Sequence, residues 1–160
     1  MSDVSSDPKD VVRRFFATLG TGDFTAIGEF FDDDSVWQVN DVARGLPAQR
    51  GRTAIIDDFL QPIREGLFEP GDPKIEIRSM IAEGSRVAVE TTARGTLRNG
   101  NHYENEYVFI IDVDVDVDTV RHLREYMDSD YAHSISAGSG TGGEGADDHT
   151  TETLRRLGHD

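Results

Sequence analysis

The chain has 160 residues, 36% hydrophobic and 29% charged, which suits one globular domain with a core of its own. It contains no cysteine, so disulfides, thiol nucleophiles and thiolate metal sites are excluded. The net charge of −15 repels phosphate backbones and anionic membranes, and so argues against nucleic acid or a membrane as partner.

Residues 1–7 form a short polar arm without an apolar signal core. No later apolar run is long enough to span a bilayer, so a cytoplasmic protein is expected. Asp7-Pro8 opens a first helix, with Asp as cap and Pro at a position that needs no N–H. Val11, Val12, Phe15, Phe16 and Leu19 follow at helical spacing and predict one buried stripe. Gly20 to Gly22 stop it. Asp23 caps a second short helix with Ile27, Phe30 and Phe31 inward, and Ser35 to Val39 reads as a short strand. Residues 40–51 form a loop. Thr53 is expected to cap a third helix carrying Ile55, Ile56, Phe59, Leu60 and Ile63, with a kink or early end at Pro62.

From Lys74 the apolar period changes to two. Ile75, Ile77 and Ile81 mark one strand, and Arg86 to about Leu97 the next. Asn99-Gly100 predicts a two-residue hairpin turn with positive φ. Strands from about His102 to Val113 and Thr119 to Met127 complete a four-strand antiparallel meander. Helices come early and strands late, so the class is α+β, with the domain spanning residues 8–135. Residues 136–160, dense at first in Gly and Asp, read as a disordered acidic tail.

Alternation assigns the faces. Tyr103, Asn105, Tyr107, Phe109 and Ile111 share an interior face, with Glu104 and Glu106 opposite. Leu123 and Met127 favour burial and carry Glu125 inward between them. A carboxylate among apolar neighbours has a raised pKa, suited to acid/base work near neutrality. The same pattern also fits a structural carboxylate paired with an arginine or a tyrosine hydroxyl. Asn105 and Tyr107 either orient a polar substrate group or pack with satisfied tips. Trp37 either stacks on a flat ligand or anchors the core. Thr91 is small and inward and shapes the cavity. Asp41 lies in the loop at the cavity mouth, as a solvated carboxylate or an assistant to Glu125.

The element order, together with Tyr103-Glu-Asn-Glu-Tyr107-Val-Phe, Arg124-Glu-Tyr-Met-Asp128, Gly22-Asp23 and Arg50-Gly51-Arg52, resembles the SnoaL-like, ketosteroid-isomerase-like branch of the nuclear-transport-factor-2 superfamily. The resemblance covers residues 8–135. It implies a cone-shaped curved sheet closed by N-terminal helices over one cavity. It also implies a homodimer through the outer sheet face. Phenazine-biosynthesis members have a similar Arg-Glu-aromatic-Met stretch, and their glutamate is the acid/base group. The fold also hosts pure binding modules.

Two departures narrow the chemistry. Epoxide hydrolases of this fold need an inward Arg and Asp where this chain has Thr91 and Ala93, and a Tyr and Asn where it has Trp37 and Val39. Steroid isomerases use a helix-one Tyr and an Asp where this chain has Phe15 and Val39. The expectation is therefore a cofactor-independent enzyme acting through Glu125 on a small apolar or aromatic metabolite, by isomerisation, cyclisation, condensation or hydration. The alternative is a non-catalytic ligand-binding or dimerisation module.

No metal site is expected. Asp114 to Glu125 has the length of a calcium loop, but Thr119 stands where its glycine belongs. Asp112, Asp114, Asp116 and Asp118 read instead as outward carboxylates of a hairpin tip, crowded enough to weaken it at low salt. His102, His122 and His133 show no ligand spacing and read as surface residues.

Overall fold

The computed structural model describes residues 6–137. Asp7 caps α1 (Pro8–Thr21), its carboxylate accepting the Lys9 N–H at 2.9 Å. The expected stripe from Val11 to Leu19 is buried, and Gly22 ends the helix in left-handed backbone at φ 72°. Asp23 likewise caps α2 (Phe24–Gly28), accepting the Ala26 N–H at 3.1 Å. Ile27 and Phe31 then pack into the core beside Phe15, with the Phe15 and Phe31 rings edge to face at 5.7 Å.

The third helical stretch departs from its expectation at both ends. Gly51, not Thr53, stands at the N-cap, and no side chain caps it. The chain then runs through α3 (Arg52–Ile55), a π-helical segment (Ile56–Leu60) and α4 (Gln61–Leu67). Pro62 does not end the helix. The π turn shifts the hydrogen-bond register ahead of it, so Pro62 falls in the first turn of α4, where a missing N–H costs nothing. Arginines on this stretch bind the ends of the earlier helices. Arg52 donates to the Phe31 carbonyl at 2.9 Å, and Arg64 donates to those of Leu19 and Gly20 at 2.7 and 2.9 Å.

The sheet has six strands in the order β2-β1-β6-β5-β4-β3. The meander comprises β3 (Lys74–Glu83), β4 (Arg86–Thr96), β5 (His102–Asp114) and β6 (Thr119–Met127), all antiparallel. The short early strand, β1 (Val36–Val39), adds to the last strand in parallel, and β2 (Gln49–Arg50), inside the expected loop, pairs with β1. The helices cover one sheet face, giving the α+β cavity fold. No helix among the described residues is long and apolar enough to cross a membrane.

Three local features differ from their sequence expectation. A register shift between Ile77 and Ser79 turns Met80 inward and leaves Ile81 outward at 73% exposure, because a bulge of one residue inverts the alternation. The β4–β5 turn has three loop residues, Arg98 to Gly100. Leu97 and Asn101 close it by an N–H···O bond of 2.9 Å, and only Gly100 has positive φ, at 86°. Three of the four hairpin carboxylates are paired with arginines rather than crowded. Arg86 and Arg124 hold Asp112, Arg121 pairs with Asp114, and Arg14 reaches Asp118 at 3.1 Å. A further helix, α5 (Ser129–Ser136), follows the sheet, with Asp128 as its cap. Ser136, expected as the first tail residue, is its buried last residue. Most of the expected tail lies outside the described residues.

Candidate functional site

The cavity lies between the concave sheet face and the helices, with a volume of about 190 Å³. That is room for one small organic ligand. Its walls are mostly apolar side chains from α2, the π-helical segment, α4, β1 and the meander, including Phe24, Leu60, Ile63 and Phe109. The polar groups within it are few and therefore informative.

Glu125 is the central one. The β6 alternation turns it inward beside Leu123, at 9% exposure. The parallel pairing of β6 with β1 sets Glu125 opposite Val39, which brings Trp37 within reach. Trp37 Nε1–H donates to Glu125 Oε2 at 2.7 Å. This indole is the carboxyl's one hydrogen-bond partner among the described residues, so Oε1 is left to the cavity. Burial penalises the charged form and pushes the pKa from its ordinary 4.5 up to about 7, and the indole bond only partly offsets this. Among the described residues neither an arginine nor a tyrosine hydroxyl pairs with Glu125; its partner there is the Trp37 indole.

Trp37 itself is a core residue, 3% exposed, with its ring against Phe15, Phe31, Phe59 and Phe109. One edge lines the cavity. Its role is to fix Glu125 as well as to fill space.

Tyr107 lines the cavity one row further along, stacked on Phe109 with centroids 5.7 Å apart. Its hydroxyl bonds that of Tyr103, which the alternation placed on the same face without predicting the contact. Burial raises both phenol pKa values, Tyr107 strongly, so both stay protonated at neutral pH. Thr91, opposite Tyr107 on β4, also lines the cavity; its buried hydroxyl has no hydrogen-bond partner among the described residues. Asn105 is buried but is not a lining residue. Its amide donates to the Tyr103 hydroxyl at 3.2 Å and to the Asp128 carbonyl at 3.1 Å, and its oxygen accepts the Glu106 N–H at 2.9 Å. It therefore acts behind the tyrosines.

Asp41 lines the cavity, and it is buried rather than solvated. Burial alone would raise its pKa; bonds from the Arg44 side chain and backbone outweigh this and hold it below the ordinary aspartate value. His133 of α5, read from sequence as a surface residue, lines the cavity with Nε2 3.8 Å from Asp41 Oδ2. Arg44 also reaches Asp130 of α5 at 3.3 Å. Together these contacts tie the loop after β1 to the helix after β6. The signal for them was weak, because the partners lie at opposite ends of the chain.

No group of three or more His, Cys, Asp or Glu among the described residues could hold a metal ion. His122 lies on the sheet face opposite Glu125, against Arg124, and His102 is exposed beside Glu104.

A curved sheet wrapped by helices around a ligand-sized hollow is the architecture of the nuclear-transport-factor-2-like proteins. Solved structures agree. An NTF2-like protein of unknown function from Burkholderia pseudomallei superposes with a TM-score of 0.70 at 17% identity, covering 83% of this chain and 99% of that one. PrhC from Penicillium brasilianum gives 0.69 at 13% identity, with 82% and 92% covered. TerC, co-crystallised with polyporic acid, gives 0.68 at 19% identity, with 82% and 98% covered. Within that fold the chain belongs to the SnoaL-like domain family, whose model matches residues 12–122. No curated protein matches it.

Proposed function

We propose that this protein is a cofactor-independent enzyme that transfers a proton to and from a small, largely apolar or aromatic molecule, with Glu125 as the acid/base group. One observation carries the reading: a single carboxyl with a pKa of about 7 presents a free oxygen to an open, mostly apolar cavity. At neutral pH such a group exists in comparable amounts as acid and as base, the condition under which one residue can take a proton and return it. A cavity filled by Trp37 and its phenylalanine neighbours would have argued against any ligand; they pack beside the hollow instead. TerC, of the same fold, co-crystallises with polyporic acid, which supports a ligand of that general kind.

The test is incorporation of solvent deuterium into a panel of small aromatic and alicyclic compounds with acidic C–H bonds, read by mass spectrometry. At least one compound should exchange faster with the protein than in buffer. Glu125→Gln should slow that exchange about a hundredfold. If nothing exchanges faster than in buffer, or the variant matches wild type, Glu125 is no acid/base group and the cavity is only a binding site.

We also propose a homodimer through the outer sheet face, where Ile81, Val108 and Tyr126 are exposed at 73%, 40% and 38%. Sedimentation should give a dimer for wild type and a monomer for Val108→Glu; a monomeric wild type refutes it.

A further inference from the structure

The cavity holds a second polar feature, distinct from the carboxyl, and its hydrogen bonds can be counted proton by proton. Asn105 has one possible orientation. Its nitrogen faces the Asp128 carbonyl, which can only accept, and its oxygen faces the Glu106 N–H, which can only donate. The second amide hydrogen therefore goes to the Tyr103 oxygen. Tyr103 and Tyr107 then share one hydrogen bond between their hydroxyls. Two phenolic protons enter that pair and one bond uses one of them. Whichever hydroxyl donates within the pair, one O–H remains, and both tyrosines line the cavity.

That remaining donor is polarised. Asn105 donates into the pair from behind, and each bond in such a chain strengthens the next. Burial keeps both phenols protonated, and the Glu125 charge adds to that, so the donor persists across neutral pH. The surroundings are apolar, which raises both the value of a bond made there and the cost of one left unmade. A group that only accepts is the fitting partner, on a molecule whose remainder is apolar.

We infer that the Tyr103–Tyr107 pair, oriented by Asn105, is a receiving site for a carbonyl oxygen, and that the natural ligand is an apolar or aromatic ketone or related carbonyl compound. Binding there does not depend on Glu125; the chemistry after binding rests on the acid/base reading of that residue. When Glu125 removes a proton from the carbon beside the carbonyl, the C–H electron pair becomes the new C=C bond and the carbonyl π pair moves to oxygen. The tyrosine O–H then faces an oxygen gaining negative charge. Return of the proton from Glu125 restores neutrality, and no oxidant or cofactor is needed.

The test compares two probes of nearly the same shape, 2-acetylnaphthalene and 2-ethylnaphthalene, at pH 8.5, where Glu125 is ionised and donates no hydrogen bond. Wild type should bind the ketone about tenfold more tightly, the worth of one net hydrogen bond. The bound ketone's C=O stretch should move to lower frequency. Tyr103→Phe/Tyr107→Phe should abolish both effects while still binding 2-ethylnaphthalene, which shows that the variant is folded with its cavity intact. Asn105→Ala should leave a smaller frequency shift than wild type, since it removes the polarising donor and keeps both phenols. Should the double variant fail to bind 2-ethylnaphthalene, the single variants Tyr103→Phe and Tyr107→Phe carry the test by the frequency: each keeps one O–H for the ketone but loses its partner phenol, so the bound C=O stretch should differ from that in wild type.

Equal binding of the two probes by wild type, binding of neither, preference for the ketone surviving in the double variant, or a C=O frequency unchanged in both single variants overturns the inference; preference surviving in the double variant would point to Thr91. The acid/base reading fails separately. Glu125→Gln with undiminished deuterium exchange would remove the chemistry and leave carbonyl binding at the tyrosines standing.

Discussion

Glu125→Gln should stabilise the protein, and by an amount that depends on pH. The folded state holds the Glu125 carboxyl at about 7, against an ordinary value of 4.5 when the chain is unfolded. Because the folded pKa is the higher one, the unfolded chain ionises first as pH rises. Stability is fully present below about pH 4.5, falls through the window up to about 7, and is then flat with respect to this group. Complete ionisation costs the folded state about 3 kcal/mol, from 1.36 kcal/mol per pH unit. At pH 5 the cost is under about 1 kcal/mol. Gln has nearly the same shape and its oxygen can still accept the Trp37 N–H, so the variant keeps the packing and loses only the titration. Urea unfolding of both proteins at pH 5.0 and 8.5 measures the gap, and the difference cancels every other titrating group. The gap should widen by about 2–3 kcal/mol toward pH 8.5, in favour of Gln. A gap that stays constant, or reverses, would mean that Glu125 ionises freely in the folded protein.

Other perturbations address its surroundings. Trp37→Phe removes the indole donor to Glu125, so the carboxyl should titrate about one pH unit higher by isotope-edited infrared spectroscopy. Gly95→Ala should lower stability by about 1–3 kcal/mol in thermal melts, since the new Cβ would lie 2.9 Å from the Asp72 Cβ and 3.2 Å from the Pro73 Cα. Asp41→Asn weakens the tie from the loop after β1 to α5, so amide hydrogens of residues 129–136 should exchange about tenfold faster by mass spectrometry.

Much of the fold was legible because it rests on short-range signals. Asp7-Pro8 and Asp23 cap their helices through bonds to residues two or three further on, and the meander strands follow the period of two. Glu125 was legible for the same reason, as an inward position fixed by Leu123 and Met127. Features that arise from register or curvature were not. Nothing in Arg78-Ser79 announces the bulge that turns Ile81 outward. Tyr103 and Tyr107 are four residues apart, about 13 Å along a flat strand. They meet because the strand curves and both rings lean together, which alternation does not encode. The partners of Asp41 and Glu125 come from distant segments, so burial could be expected for Glu125 but not its indole donor, and Asp41 read as solvated. His133 carries no local signal of its place because α5 continues past the sheet with few apolar residues, and its capping residue, Asp128, also ends the Arg124–Asp128 stretch.

Glu125 working as an acid and base near neutrality is the central claim. The most direct measurement is the pH dependence of catalysed deuterium exchange into the most reactive compound of the panel, for wild type and Glu125→Gln. Wild type should show a rate that climbs with pH and levels off with a midpoint near 7, absent from the variant. A midpoint near 4.5, or the same curve in both proteins, would contradict it.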